Sequence, residues 1–531
     1  MALRGVKEHP SRRRFLAKCA IVLIALGAAL VPYLPAGPDL YVHLLWSWQV
    51  MRCLAVGALP VWLPDLNAGF GSPGVRLYSP LGPVLEGALG LGLGNAGAAL
   101  RVLPILVWGG FMLVVRRRRA AAGAGEWALL AAAPVVVHSL LGRGAWSEFL
   151  AVPLLWWLVD VAFEGDVAPV RDGFVLAALW LLHAPTTLMA LLLMGTGCAL
   201  VRSRRCALRA ALAVLVGAGL TAWHWLPLAS EMRLTDRAAL TGGIFEAARN
   251  VLGSPSAHAP EESLWLGWCA VTLLAGAAVG RWWRIDPART AALVAAVALA
   301  SPVATALYRP PSPLAILQFP WRWLLPAAVL AALPARRALG SAAGKVGAAL
   351  ALVPLVVFPF GRFVRDPGLT AATSRQDAGV RVYSLLGGNP LLVDAAQNRP
   401  VSYRMLAANL RLFGDREILL DPGAGAASVV RWRPLERRVA LDLNRPAVVS
   451  LRLLAYPTWR ANLDGGAVPA RDATGVIAVG VPAGRHELSV RWSGNPLAAV
   501  GQAAAGATLL ALAWSRHRRW RTSREAPSDA P

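Results

Sequence analysis

Charge is what this sequence has least of. Only 15% of its 531 residues are charged, and 29 acidic residues stand against 53 basic ones. Soluble domains carry about a quarter charged residues, so a soluble globular enzyme is excluded. Lysine is almost absent beside the arginines, a bias that fits genomic base composition better than function. The five cysteines (Cys19, Cys53, Cys198, Cys206 and Cys269) make no pair of metal-ligand spacing and no disulfide framework. Most fall in apolar runs, where cysteine behaves as a small hydrophobe.

What fills the sequence is apolar. Hydrophobic residues make up 56% of it and the mean hydropathy is +0.51. Apolar runs of about 17–25 residues recur, long enough to cross a bilayer. The expected class is a polytopic α-helical membrane protein. The net charge of +24 invites a nucleic-acid reading. However, the basic residues gather in short loops between apolar runs, which is positive-inside topology rather than phosphate binding. No nucleic acid is expected as a partner.

Arginine placement then orders the chain. A basic N-terminus, 1–14, precedes Phe15 to Pro35, read as an uncleaved first span because no small-residue cleavage pattern stands clearly before Asp39. Counting both Ser79 to Gly94 and Leu100 to Val115 as spans would export Arg116 to Arg119. Leu81 to Leu93 is therefore expected as an interfacial or re-entrant helix in an outer loop, 37–99. The run Phe174 to Val201 is expected to break at His183-Ala184-Pro185, which keeps Arg202 to Arg205 inside; one long helix kinked at Pro185 is the alternative. Further spans follow, with a polar outer loop, 231–262, that includes Asp236, Glu246, His258 and Glu261. The region 15–361 thus forms a transmembrane domain, and the segment 493–514 a last helix before a basic tail, 515–531. About twelve crossings result, with both termini cytoplasmic in a bacterial inner membrane.

Between 362 and 492 the pattern changes. Arg437 to Asn444, Ala447 to Tyr456 and Arg485 to Trp492 alternate apolar and polar residues as half-buried strands do. Asp464-Gly465-Gly466 and Pro482-Ala483-Gly484 are turn signals. A small extracytoplasmic β-sandwich is expected here.

The first outer loop, from Gly37 to Pro83, concentrates polar residues that are scarce elsewhere. Asp39 and His43 lie one helical turn apart. With Asp65, Arg76 and Tyr78 they share a side of the membrane with Arg143, Glu148, His183, Glu231 and Arg322. Ionisable groups at the edge of a span face a cavity or each other, so an outward-facing polar cleft is expected. Plainer roles stand beside this one. Asp39 suits a helix N-cap, Arg143 and Glu148 suit a simple ion pair, His183 suits a hydrogen bond in the break, Arg322 suits a lipid anchor, and Trp62 suits an interfacial aromatic.

These segments carry a resemblance. PDLYVHLLWSWQ, GALPVWLPDLNAGFGSP, RGAWSEFLA, LLHAPTTLMALLL, WHWLPLASE and QFPWRWL together resemble the bacterial membrane proteins labelled 6-pyruvoyl-tetrahydropterin synthase-related, within the GT-C superfamily of glycosyltransferases. The resemblance spans roughly Phe15 to Leu333 and implies a GT-C-like fold. It implies a polyprenyl-phosphate sugar as donor, an envelope glycan or lipid as acceptor, and Asp39 as catalytic base. On that footing Arg76, Arg143 and Arg322, with His43 and His183, are expected around the donor phosphate, where arginine's planar fork suits phosphate oxygens. Asp65, Tyr78, Glu148, Glu231 and Trp62 are expected around the substrates. Many relatives carry paired acids in the first loop; Asp39 has no adjacent acid, so a divalent metal is not supported. Two other classes stay open: a lipid-linked-sugar transporter, disfavoured by the apolar inner halves of the spans, and a non-catalytic scaffold of an envelope-polysaccharide machine.

Overall fold

The computed structural model describes residues 10–118, 124–234, 245–255, 257, 260–309, 312–356, 363–386, 403–473 and 475–525. Asp236 and His258 of the expected polar loop lie outside these residues, as does Arg119. The helical region begins with α1 (Pro10–Leu30), followed by the short strand β1 (Tyr33–Pro35), α2 (Leu40–Ala55) and α3 (Leu81–Leu93). It continues with α4 (Ala96–Arg118), α5 (Ala124–Ala131), α6 (Pro134–Val137), α7 (Trp146–Phe163), α8 (Pro169–Leu182), α9 (Ala184–Val201), α10 (Arg204–Leu220) and α11 (Ala222–Glu231). After the loop come α12 (Pro260–Val279), α13 (Pro287–Ala300), α14 (Leu324–Ala338) and α15 (Ala342–Leu352).

Five helices are long and apolar enough to cross a membrane, or up to seven if each of two bent pairs is one span, among the described residues. The protein is a membrane protein on this ground. The bends are sharp: α10 and α11 meet at 73°, and α13 turns by 72° into a 3₁₀ segment, Pro302–Tyr308. α3 has 13 residues, too short to cross alone, and it packs against α2 and α4.

Helix α7 is the centre of the bundle, with 89% of its apolar window buried, whereas the last helix has 6%. A helix apolar on every side belongs inside. Its two interior tryptophans satisfy their indole N–H groups on buried acids, Trp156 donating to Glu126 at 2.9 Å and Trp157 to Asp172 at 2.9 Å. The expected break falls at His183, which is extended between α8 and α9. Pro185 sits in the first turn of α9, where its missing N–H costs nothing. The Ser79 hydroxyl accepts from the Ala184 N–H at 3.0 Å and so caps the new helix.

The strand β2 (Phe363–Arg365) pairs antiparallel with β1. Arg101 fixes this joint, reaching Asp366 at 2.6 Å and the Ala28 and Ala29 carbonyls at the end of α1. Two helices, α16 (Arg375–Leu386) and α17 (Tyr403–Phe413), lead into the strands. These are β3 (Ile418–Leu420), β4 (Gly425–Arg433), β5 (Glu436–Leu443), β6 (Ala447–Leu454), β7 (Trp459–Leu463), β8 (Gly466–Val468), β9 (Arg471–Ala473), β10 (Val476–Val481) and β11 (Gly484–Trp492). They form one sheet ordered β3-β6-β10-β9 and another ordered β4-β5-β11-β7-β8. Val439, Leu441 and Val490 from one sheet share a core with Val449, Leu451 and Val479 from the other, so the two sheets pack face to face. The final helix, α18 (Pro496–Glu525), returns to the bundle and packs on α10 and α11.

The first loop belongs as much to the sheets as to the bundle. Trp62 and Phe70 sit in the sheet core with no exposed surface. The Phe70 carbonyl accepts from the Leu454 N–H at 2.8 Å, and Arg452 donates to the Ala68 carbonyl at 3.0 and 2.7 Å.

Candidate functional site

At the end of the bundle that faces the sheets, four charged side chains form a chain. Asp39 accepts from Arg143 at 2.7 Å. Arg143 also reaches both carboxylate oxygens of Glu148 at 3.3 Å. Glu148 in turn accepts from Arg322 Nε at 2.9 Å and from the Ser139 hydroxyl at 2.9 Å. Arg143, Glu148 and Arg322 are buried, while the Asp39 side chain is 36% exposed. Two acids balance two guanidinium groups, which is how buried charges are tolerated.

Local structure builds this arrangement. A π-helical turn, His138–Gly142, interrupts the chain between α6 and α7, a distortion that re-aims side chains and recurs at functional sites. It delivers Ser139 and Arg143 towards Glu148 in the first turn of α7. Gly37 lies so close to the Arg143 carbonyl and the Gly144 nitrogen that a side chain would collide with both. The Asp39 N–H donates to the Arg143 carbonyl at 2.9 Å. Asp39 occupies the N-cap position of α2, but its side chain makes no capping hydrogen bond; it is turned to Arg143 instead.

His183, Tyr78 and two aromatics wall the cluster. His183 Nε2 lies 3.8 Å from Glu148, and its Nδ1 is 2.6 Å from the Thr186 hydroxyl. Burial pushes its imidazole down to about 3, against the pull of Glu148. The Tyr78 ring meets His183 edge-on at 6.2 Å; burial pushes its phenol up to about 12, with Arg322 opposing. Arg143 stands over Trp321 at 4.8 Å and Arg322 over Phe319 at 4.9 Å, both cation–π contacts. Burial disfavours the charged form of Arg143, but the carboxylates of Asp39 and Glu148 override it and hold the guanidinium above its ordinary range.

His43 lies on the next turn of α2 and faces Glu86 of α3 at 3.7 Å. Ser47 donates to Glu86 at 2.6 Å, and the His43 ring lies 5.8 Å from Trp146. The ring nitrogen Nδ1 of His43 and Oε1 of Glu86 are buried without a hydrogen bond. His138 approaches Glu262 at 2.6 Å behind Trp321.

The remaining expected residues are elsewhere. Arg76 pairs with Glu231, which also accepts from Tyr456 at 2.6 Å and from Asn495 at 2.5 Å. This clasp joins the bundle to the sheets. Asp65 is held by Arg52 and by a two-way exchange with Gln49 at 2.9 Å, which ties the loop to α2. Trp62 packs on Trp459 at 5.3 Å and Trp492 at 5.5 Å. It is fully buried among these aromatics and Tyr456, so it presents no exposed face to a sugar ring.

Sequence reasoning did not single out Ser139, Ser47 or His138 as site residues. Ser139 stands four residues before Arg143, a spacing that would have placed it beside Arg143 in any helical turn. Glu86, a lone acid on an apolar helix, carried a signal of its own. Among the described residues, no group of three or more His, Cys, Asp or Glu side chains could hold a metal ion.

No family model matches the sequence, and no curated protein matches it. Among solved structures, the cryo-EM structure of arabinofuranosyltransferase AftD from Mycobacteria is similar over 67% of this chain, at 16% identity and a TM-score of 0.39. That similarity spans 27% of the length of AftD.

Proposed function

We propose that the protein is an integral membrane glycosyltransferase of the GT-C type. In this reading it moves a sugar from a polyprenyl-phosphate donor to an envelope glycan or lipid acceptor. The observation that carries the reading is Asp39: a half-exposed carboxylate beside a buried array of two arginines around one glutamate. The motifs that resemble the 6-pyruvoyl-tetrahydropterin synthase-related membrane proteins supply the same residues.

Transfer proceeds with inversion. Asp39 takes the proton from an acceptor hydroxyl as its oxygen attacks the anomeric carbon. The bond from that carbon to the phosphate oxygen breaks, and the lipid phosphate leaves with the electron pair. Arg143 and Arg322 meet the negative charge that builds on it, in a setting where water is scarce and fixed charges act strongly. Glu148 keeps both arginines in place. His43, His183 and Tyr78 border the space for donor and acceptor. Arg76 and Glu231 are assigned to holding the sheets over the site, and Asp65 and Trp62 to shaping the loop.

The topology proposed with this function puts the site on the outer face of a bacterial inner membrane, under an extracytoplasmic sandwich, with about twelve crossings. It is supported by the exposed Arg202, Arg204, Arg205, Arg281 and Arg284, which end or join helices running away from the site.

Asp39→Asn, assayed in membranes with a radiolabelled polyprenyl-phosphate sugar, tests the mechanism. Loss of transfer is expected, by about a hundredfold or more; full transfer at normal expression removes Asp39 as the base. A second reading, a non-catalytic scaffold, is favoured by one observation: the four charges of the cluster already neutralise one another. An Asp39→Asn strain with a normal envelope, beside a defective strain lacking residues 418–492, would select it.

A further inference from the structure

A cleft of about 450 Å³ lies between α9 and α10 at the end of the bundle remote from Asp39. Its walls are apolar: Leu191 and Met194 on α9, and Ala207, Ala211 and Val214 on α10. The small alanines on α10 are what leave it open. Around it the helices present Leu192, Leu208 and Leu215, which are 45%, 63% and 67% exposed. A face this apolar lies against lipid in a membrane protein.

The mouth of the cleft has a different character. Arg202 and Arg204 line it, and Arg205 adjoins them; all three are exposed. None of them makes an ion pair with an acidic side chain among the described residues. Two other arginines remote from the site, Arg289 and Arg171, are neutralised. Arg289 reaches Asp160, Glu164 and Asp286, and Arg171 reaches Asp172 and Asp166. The turn is also built to keep its shape. Arg202 takes a left-handed conformation, with φ at 54° and its N–H on the Ala199 carbonyl, and Ser203 caps α10 by accepting from the Cys206 N–H at 3.2 Å.

An apolar slot ending in unneutralised arginines is complementary to a molecule with a hydrocarbon chain and an anionic head. Basic pockets between transmembrane helices bind the headgroups of anionic lipids in this way. We infer that the α9–α10 cleft is a binding site for one anionic glycerophospholipid of the membrane leaflet remote from the site, with an acyl chain in the slot and the headgroup phosphate on Arg202 and Arg204. The inference does not depend on transfer activity.

Native mass spectrometry of the full chain, released from detergent with phosphatidylglycerol or with phosphatidylcholine of the same acyl chains, reads it directly. The unaltered protein is expected to retain one phosphatidylglycerol in preference to phosphatidylcholine. The double variant Arg202→Gln, Arg204→Gln lowers that retention about tenfold, and Ala211→Phe, which fills the slot and leaves every charge, lowers it as well. Neutralising the exposed Arg281 and Arg284 instead leaves it unchanged. Equal retention of the two lipids by the unaltered protein overturns the site. So does an equal loss in the Arg281 and Arg284 variant, which would mean general attraction to an anionic surface. Unchanged retention in Ala211→Phe overturns the slot as the place of the chain.

Discussion

Replacing Glu148 with glutamine would leave the buried Arg322 without a carboxylate partner and the buried Arg143 with Asp39 alone. Arg143 and Arg322 both depend on its carboxylate, and breaking a buried pair costs about 3–5 kcal/mol. Glu148→Gln is therefore expected to lower the melting temperature sharply in a thermal unfolding assay in detergent. Asp39→Asn removes a partner that is 36% exposed and should cost about 1 kcal/mol or less. A melting temperature near normal with transfer abolished would separate chemistry from folding at position 39. The cluster was legible in the sequence because ionisable residues in apolar surroundings need each other. Which residue faces which was not. Asp39 reads as an N-cap until Arg143 is seen across from it, and the two are 104 residues apart.

Elements were legible where one periodicity rules. The strands expected at Arg437 to Asn444 and Ala447 to Tyr456 form at Glu436–Leu443 and Ala447–Leu454; buried positions alternate along the whole of the first and the first half of the second. The break at His183 was favoured by Pro185 and chosen over a kinked helix by the placement of Arg202 to Arg205. The π-helical turn at His138–Gly142, between α6 and α7, had no such signal. Two tests belong at this scale. Gly37→Ala forces a Cβ into the Arg143 backbone and should destabilise by about 1–3 kcal/mol. Gly27→Ala on α1, with open space around it, should leave the melting temperature unchanged or raise it slightly. The second test is pH. Asp464 lies 2.7 Å from His486; the imidazole is raised from 6.5 by that hydrogen bond, and the carboxyl is lowered from 3.8 by the same bond. The His486 contribution is complete below 6.5 and is lost as pH rises through its higher folded value. The Asp464 contribution is complete above 3.8 and is lost as pH falls through its lower one. Protection of the β7–β8 hairpin amides, taken relative to their intrinsic exchange rate at each pH, should be greatest between those limits and fall on either side.

At the scale of the whole molecule, the bundle and the sheets meet at the clasp of Arg76, Glu231, Tyr456 and Asn495. Tyr456→Phe removes one hydrogen bond to a charged group, worth about 1.5–3 kcal/mol. Exchange of the loop backbone around Trp62 and Phe70 should quicken, with the bundle helices unaffected. That the sheets would stand over the first loop was not legible, because Trp62 reads as an interfacial aromatic until strands far along the chain surround it.

The union of the first loop with the sheets has a consequence in time. Ala68 and Arg452 are 384 residues apart in sequence, and a ribosome adds about 5–20 residues per second. For many seconds after α2 and α3 emerge, Trp62 and Phe70 have no core to enter. A newborn chain thus carries its loop unfinished through most of its own synthesis. A chain that stops short of β6 never completes it, and offers proteases and chaperones an apolar segment that the finished protein hides.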